Sequence, residues 1–198
     1  MSKIVDYYFT PASPWSYLGH QRLEAIAKRH GAEIRYKPVD YGKIFPVSGG
    51  LPLGKRAPQR QAYRLFELER WRKAVGVPLT VKPKFHPVAG DLASQLILAA
   101  EMQSGKPGAL ALPVFRACWV EDRNLADPAT LSAIADEQGF DGAALLTLAR
   151  SPEIVARYQQ LTQEAIDRQV FGAPFFIYKD EPFWGQDRLD FLDRALAE

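Results

Sequence analysis

Ser13-Pro14-Trp15-Ser16 places two hydroxyls three residues apart around a proline, just after the strand-like run 3–9. Serine followed by proline reads as the N-cap and first residue of a helix. A helix N-terminus presents unpaired N–H groups and a partial positive charge, and both favour an anion. A hydroxyl there can donate to a sulfur anion, which lowers the pKa of a bound thiol and raises its thiolate fraction. Spacing alone favours the plainer reading, Ser13 as a helix cap.

Two distant segments offer complementary chemistry. In Gly172-Ala173-Pro174-Phe175, a proline precedes a strand and removes one ladder donor. A cis Ala173–Pro174 bond would let Ala173 present its backbone to a ligand, although trans is the expected isomer on sequence alone. In Trp184-Gly185-Gln186-Asp187-Arg188 a strand ends, turns on glycine and opens the last helix. Its N–H groups suit a carboxylate and Asp187 suits an ammonium, while in isolation Asp187 reads as an N-terminal cap. Arg56 and Arg60 flank a Gly/Pro loop and are either solvated or within reach of an anionic substrate. The single cysteine, Cys118, sits in an apolar helical stretch and reads as a small buried hydrophobe.

The elements that must position these groups follow from periodicity. Residues 3–9 and 33–39 read as strands, with a helix from Ser13 to Gly31 between them, a βαβ unit with parallel pairing. The glycines and prolines of 42–58 predict a long loop. A helix follows over 59–75, with Tyr63, Leu65, Phe66, Leu68 and Trp71 offered to the core. Further helices are expected at 88–104, 108–121, 128–138, 141–149 and 152–170, with no strand candidate among them. Residues 175–179 and 182–184 flank a polar turn as a hairpin, and 187–197 form an amphipathic helix. The order is β-α-β, a helical block, then β-β-α, and the two ends must share one sheet to be stable.

Composition bounds the rest. The chain has 198 residues, 47% of them hydrophobic, enough to bury a core. A net charge of +2 gives no electrostatic footprint for nucleic acid. No run of 18 apolar residues implies a membrane helix, and the N-terminus lacks a secretory apolar region. His20, His30 and His86 show no ligand spacing, so no metal is expected. With one cysteine and no intramolecular disulfide, a reducing cytoplasm is the simplest location.

Taken together, the pattern resembles an α/β thioredoxin-like fold with an all-helical insertion. The thioredoxin-like part is 1–45 with 171–198, and the insertion is 46–170. In the DsbA-like branch of that fold a CxxC motif opens the first helix. Here serine stands at both cysteine positions, so dithiol–disulfide exchange is not expected. The segments DYYFTPASPWSYLGHQRL, RAPQRQAYRLFELERW, WVEDRNLADPATL, Gly172-Ala173-Pro174 and FWGQDRL are similar to the kappa-class glutathione transferases and, more closely, to the 2-hydroxychromene-2-carboxylate isomerases. The similarity spans essentially the whole chain. It implies that Ser13 hydrogen-bonds the glutathione sulfur and that Ala173, before a cis-Pro174, pairs with the glutathione backbone. Gln186 and Asp187 would hold the γ-glutamyl end, and Trp15 and Arg60 would lie near the substrate. One departure is Gly49-Gly50-Leu51-Pro52-Leu53, where many relatives carry an asparagine.

The activity implied is a glutathione-dependent isomerisation of a small aromatic carboxylate by a cytoplasmic homodimer. Trp15, Tyr17, Phe45 and Trp184 are available to line the pocket. Conjugation or peroxide reduction by the same thiolate is the alternative, and a non-catalytic thioredoxin-like binding protein is the second.

Overall fold

The computed structural model describes residues 2–198. Strand β1 (Ile4–Phe9) is central and pairs parallel with β2 (Glu33–Pro38) in the register Val5↔Ile34 and Tyr7↔Tyr36. On its other side β1 pairs antiparallel with β3 (Phe175–Tyr178), which forms a hairpin with β4 (Glu181–Trp184). The sheet order is β2-β1-β3-β4, so the two ends of the chain do share one sheet. Lys179 and Asp180 both take positive φ in the hairpin turn, the geometry that matches strand twist. The outer strand β2 exposes Glu33 and Arg35, charges that guard a free sheet edge.

The period-2 alternation of β1 sorts its side chains into two cores. Tyr7 and Phe9 stack at 4.6 Å on one face, with Phe176 5.3 Å from Tyr7. That face is covered by α1 (Pro14–His30), α9 (Leu189–Ala197) and the helical block. Each buried aromatic there contributes roughly 1.5–3 kcal/mol. The opposite face carries Tyr8, Phe175 and Ile177 against α2 (Tyr41–Ser48) and α8 (Pro152–Asp167). Beside that second core a charged knot ties α8 to the sheet: Tyr8 Oη donates to Glu164 at 2.6 Å, and Lys37 lies 2.9 Å from Asp6.

Between β2 and β3 run α3 (Pro58–Ala74), α4 (Asp91–Ser104), α5 (Ala111–Trp119), α6 (Pro128–Glu137) and α7 (Gly142–Ala149), followed by α8. No strand interrupts them among the described residues.

Two sequence expectations fail. The loop predicted over 42–58 contains helix α2 and a 3₁₀ turn at Leu53–Lys55. Asp40 caps α2 by accepting from Gly42 N–H at 2.7 Å, and Gly49 ends it at φ 75°. Tyr41 and Ile44, three apart, bury into the second core, which offsets the helix penalty of Pro46. The second failure concerns α3. Of its offered core residues only Leu68 is buried, whereas Tyr63 and Phe66 are 58% and 63% exposed. The helix lies at the rim and packs through one stripe, and these two aromatics fall outside it.

Candidate functional site

A cavity of about 1280 Å³ opens where α1 begins. Ser13 lies on its wall, 8% exposed, with extended backbone as the N-cap of α1. Its Oγ accepts from Ser16 N–H at 3.2 Å. That bond uses a lone pair, so the hydroxyl proton stays available for donation. Capping and donating to an anion are therefore compatible roles, not competing ones. Pro14 has no N–H, and Trp15 N–H has no protein acceptor among the described residues, which leaves it as a second donor at the helix end. The loop before Ser13 is fixed from below. Trp119 Nε1 donates to the Pro11 carbonyl at 3.0 Å, and Ser13 N–H donates to the Thr10 carbonyl at 3.0 Å.

The Ala173–Pro174 peptide is cis, not the trans form expected from sequence alone. Helix α2 helps hold it: Tyr41 Oη donates to the Gly172 carbonyl at 2.7 Å. Gly185 N–H donates to the Pro174 carbonyl at 2.9 Å, which joins this loop to the end of β4. Phe171 meets Trp184 edge-on at 4.9 Å, and a side chain at Gly172 would overlap the Trp184 indole nitrogen. A Cβ at 172 would force the Trp184 ring to shift.

The third wall is the 3₁₀ turn Gln186–Arg188. Gln186 is buried at 2% exposure, and Gly19 of α1 has no room for a side chain because Gln186 Cβ would lie 2.9 Å away. Arg22 donates to Gln186 Oε1 at 2.8 Å, which orients the amide. Asp187 lines the cavity and accepts from Arg188 at 2.7 Å.

The remaining wall carries three arginines, Arg56, Arg60 and Arg64, and three carboxylates, Asp40, Glu67 and Asp91. His86 also lines it, and burial followed by the Arg64 charge pushes its pKa down to about 4, so the ring is neutral at pH 7. Cys118 is buried in α5, outside the cavity, and burial pushes its thiol up to about 12. The site thus has donors for an anion and no thiol of its own among its lining residues.

A DSBA-like thioredoxin domain matches residues 4–197. A 2-hydroxychromene-2-carboxylate isomerase from Sphingobium xenophagum is 31% identical, covering all of both chains. The chain belongs to the 2-hydroxychromene-2-carboxylate isomerase family. A second member of that name, from Pseudomonas putida, is 33% identical over 98% of this chain and 94% of its own. The solved structure of a 2-hydroxychromene-2-carboxylate isomerase superposes with a TM-score of 0.81 at 29% identity, covering 98% of this chain and 94% of that one.

In this isomerase-family chain, Ser13, Trp15, Ala173, Gln186, Asp187 and Arg60 line one cavity, and Pro174 supports it from behind. Phe45 and Trp184 line it as well, but Tyr17 does not: it is buried and donates to the Pro78 carbonyl at 2.8 Å. Depth explains the correction, since Tyr17 stands a full turn further into the protein than Ser13 and meets the α1–α5 core, where Phe115 lies 6.1 Å away. Ser16 is fully buried and also faces away from the cavity. Arg64 and His86 went unrecognised in the sequence. The four-residue step from Arg60 was the available signal for Arg64, whereas nothing in the local sequence marked His86.

Proposed function

We propose that this isomerase-family chain binds glutathione and interconverts 2-hydroxychromene-2-carboxylate and trans-o-hydroxybenzylidenepyruvate, or a close aromatic analogue. The observation that carries the reading is the buried Ser13 hydroxyl, capped through its lone pair with its proton free, at a helix N-terminus beside the Ala173–Pro174 loop. The donor set fits glutathione: a hydroxyl and a helix end for sulfur, a backbone edge at Ala173, and the Asp187 carboxylate for an ammonium. The absence of a cysteine from the lining residues means the sulfur must come from the ligand.

When bound, glutathione supplies a thiolate whose addition to the conjugated double bond makes it single, so that rotation and elimination exchange the two isomers. Ser13 and Trp15 N–H stabilise negative charge at the sulfur position. Ala173 aligns the peptide, and the Gln186–Arg188 turn anchors its amino-acid end. Trp15, Phe45 and Trp184 give the aromatic acceptor apolar surface. Leu51 and Leu53 also line the cavity where the relatives' asparagine would bring a polar group. That apolar loop favours a second reading, conjugation, in which the same addition occurs and elimination does not.

Product analysis decides between them. Incubation of the protein with glutathione and trans-o-hydroxybenzylidenepyruvate should regenerate glutathione and yield the isomer. A stable glutathione adduct would favour conjugation, and no glutathione dependence would overturn both.

A further inference from the structure

Arg60 and Arg64 stand four residues apart on α3, on one face of the helix, and Arg56 precedes them by the same interval at the end of the 3₁₀ turn. All three line the cavity. The acidic residues of α3 are committed elsewhere: Glu67 pairs with Arg70 at 2.6 Å, and Glu69 with Arg72 and Lys73 at 2.7 and 2.9 Å. Among the described residues, no carboxylate lies within ion-pair distance of the three cavity arginines. Arg56 gives its Nε to the Leu51 carbonyl at 2.8 Å, but Arg64 has no protein acceptor among the described residues.

Arg64 is also the least solvated of the three. Burial and the Arg56 charge lower its pKa to about 10, so it remains a cation at pH 7. A half-buried guanidinium without a protein partner is costly, and an anion that enters the cavity from solution offsets that cost. His86 and Ser13 line the same cavity as Arg64. The His86 ring feels the Arg64 charge, lies against the Ala12 carbonyl, and packs 4.8 Å from Trp119, whose indole holds Pro11. Arg64, His86 and Ser13 thus face one cavity, with His86 beside the loop that ends at Ser13. Asp187 and Gln186, suited to the amino-acid end of glutathione, come from the separate turn after β4.

We infer that Arg64 is the seat for the acceptor's carboxylate: it takes an aromatic acid whose carboxylate is attached directly to the conjugated group that meets sulfur at Ser13. The guanidinium fork matches a carboxylate with two parallel N–H donors. Arg56 beside it adds positive potential, and neutral His86 adds no competing charge. This deepens the proposed glutathione reading and rests on it for the place of the sulfur.

The test is equilibrium dialysis of the full chain, without glutathione, against trans-o-hydroxybenzylidenepyruvate and against its methyl ester. Wild type should bind the acid on the order of tenfold more tightly than the ester, the worth of one charge-assisted hydrogen-bond pair. Arg64→Gln should reduce acid binding to the level of the ester and leave the ester unchanged. Arg64→Lys should fall between them. Glutathione binding, measured separately by calorimetry, should change less than about twofold in both variants, a shift well under 1 kcal/mol. Acid binding unchanged in Arg64→Gln would overturn the inference, as would equal losses of acid and ester or of acid and glutathione. If Arg64→Gln does not fold, a wild type that binds acid and ester alike overturns it just as well. Failure of wild type to bind glutathione would overturn the proposed function, with the acid–ester difference still deciding the seat.

Discussion

Arg22 grips Gln186 twice, donating to its side-chain Oε1 at 2.8 Å and to its main-chain carbonyl at 3.1 Å across 164 residues of sequence. This contact fastens the last wall of the site to the helix that carries Ser13. It also explains why Gly19 is glycine, since Gln186 must lie directly on α1.

Arg22→Ala should therefore loosen the Gln186–Arg188 turn without disturbing the core. Loss of a charged donor to two oxygens costs about 1.5–3 kcal/mol when fully buried, and the partial exposure of Arg22 puts the expected loss near 1 kcal/mol. Calorimetry should show weaker glutathione binding by several fold. A variant with wild-type melting temperature and wild-type binding would remove Arg22 from the account.

Gly172→Ala puts a methyl group against the Trp184 indole. Trp184 is 54% exposed, so it can swing outward, and the stability cost should stay near the lower end of the 1–3 kcal/mol typical of overpacking. The site should suffer more than the fold: Trp184 loses its edge contact with Phe171 and its place on the cavity wall. The emission spectrum, compared with a Trp184→Phe control, should shift to the red. An unshifted spectrum would contradict the close approach.

The βαβ start, the hairpin and the helical block were all legible because each rests on local signals: Ser13-Pro14, Gly31, Asp127-Pro128 and the turn at Lys179-Asp180. What escaped the sequence depended on tertiary contacts. Helix α2 contains Gly42 and Pro46, which local propensity rejects, and it exists because Tyr41 and Ile44 bury against the sheet. Tyr63 and Phe66 carry no mark that says which side of α3 meets solvent. Tyr17 reads as a cavity residue until the packing of α1 on α5 buries it one turn below the helix start. The cis form of Ala173–Pro174 followed from the family resemblance, not from the local residues. Arg64 escaped because its significance lies in a missing partner, which only the folded arrangement reveals.

His20 gives a pH prediction outside the site. It is fully buried among Tyr7, Tyr36 and Phe115, neither ring nitrogen makes a hydrogen bond, the half-exposed Glu24 carboxylate stands 3.5 Å from Nε2, and burial wins, pushing the pKa from 6.5 down to about 4. Because the folded value is the lower one, the unfolded chain takes up the proton first as pH falls. Stability is full above about pH 6.5 and declines toward pH 4, by on the order of 3 kcal/mol at most from this group. His20→Leu should flatten the stability curve over that window in denaturant melts at several pH values. An unchanged slope between pH 6.5 and 4 would mean that His20 titrates normally.

The role of Ser13 is read out by the thiol titration of bound glutathione. Thiolate absorbance near the ultraviolet edge is followed against pH, with glutathione saturated by wild type, Ser13→Ala and Ser16→Ala. The wild-type complex should titrate about 1–2 units below an ordinary thiol near 8.5. Ser13→Ala should return most of that shift at a stability cost of about 1 kcal/mol from the lost cap. Ser16→Ala should return little, because its hydroxyl is buried away from the cavity. An apparent thiol pKa that is the same in wild type and Ser13→Ala would contradict the account.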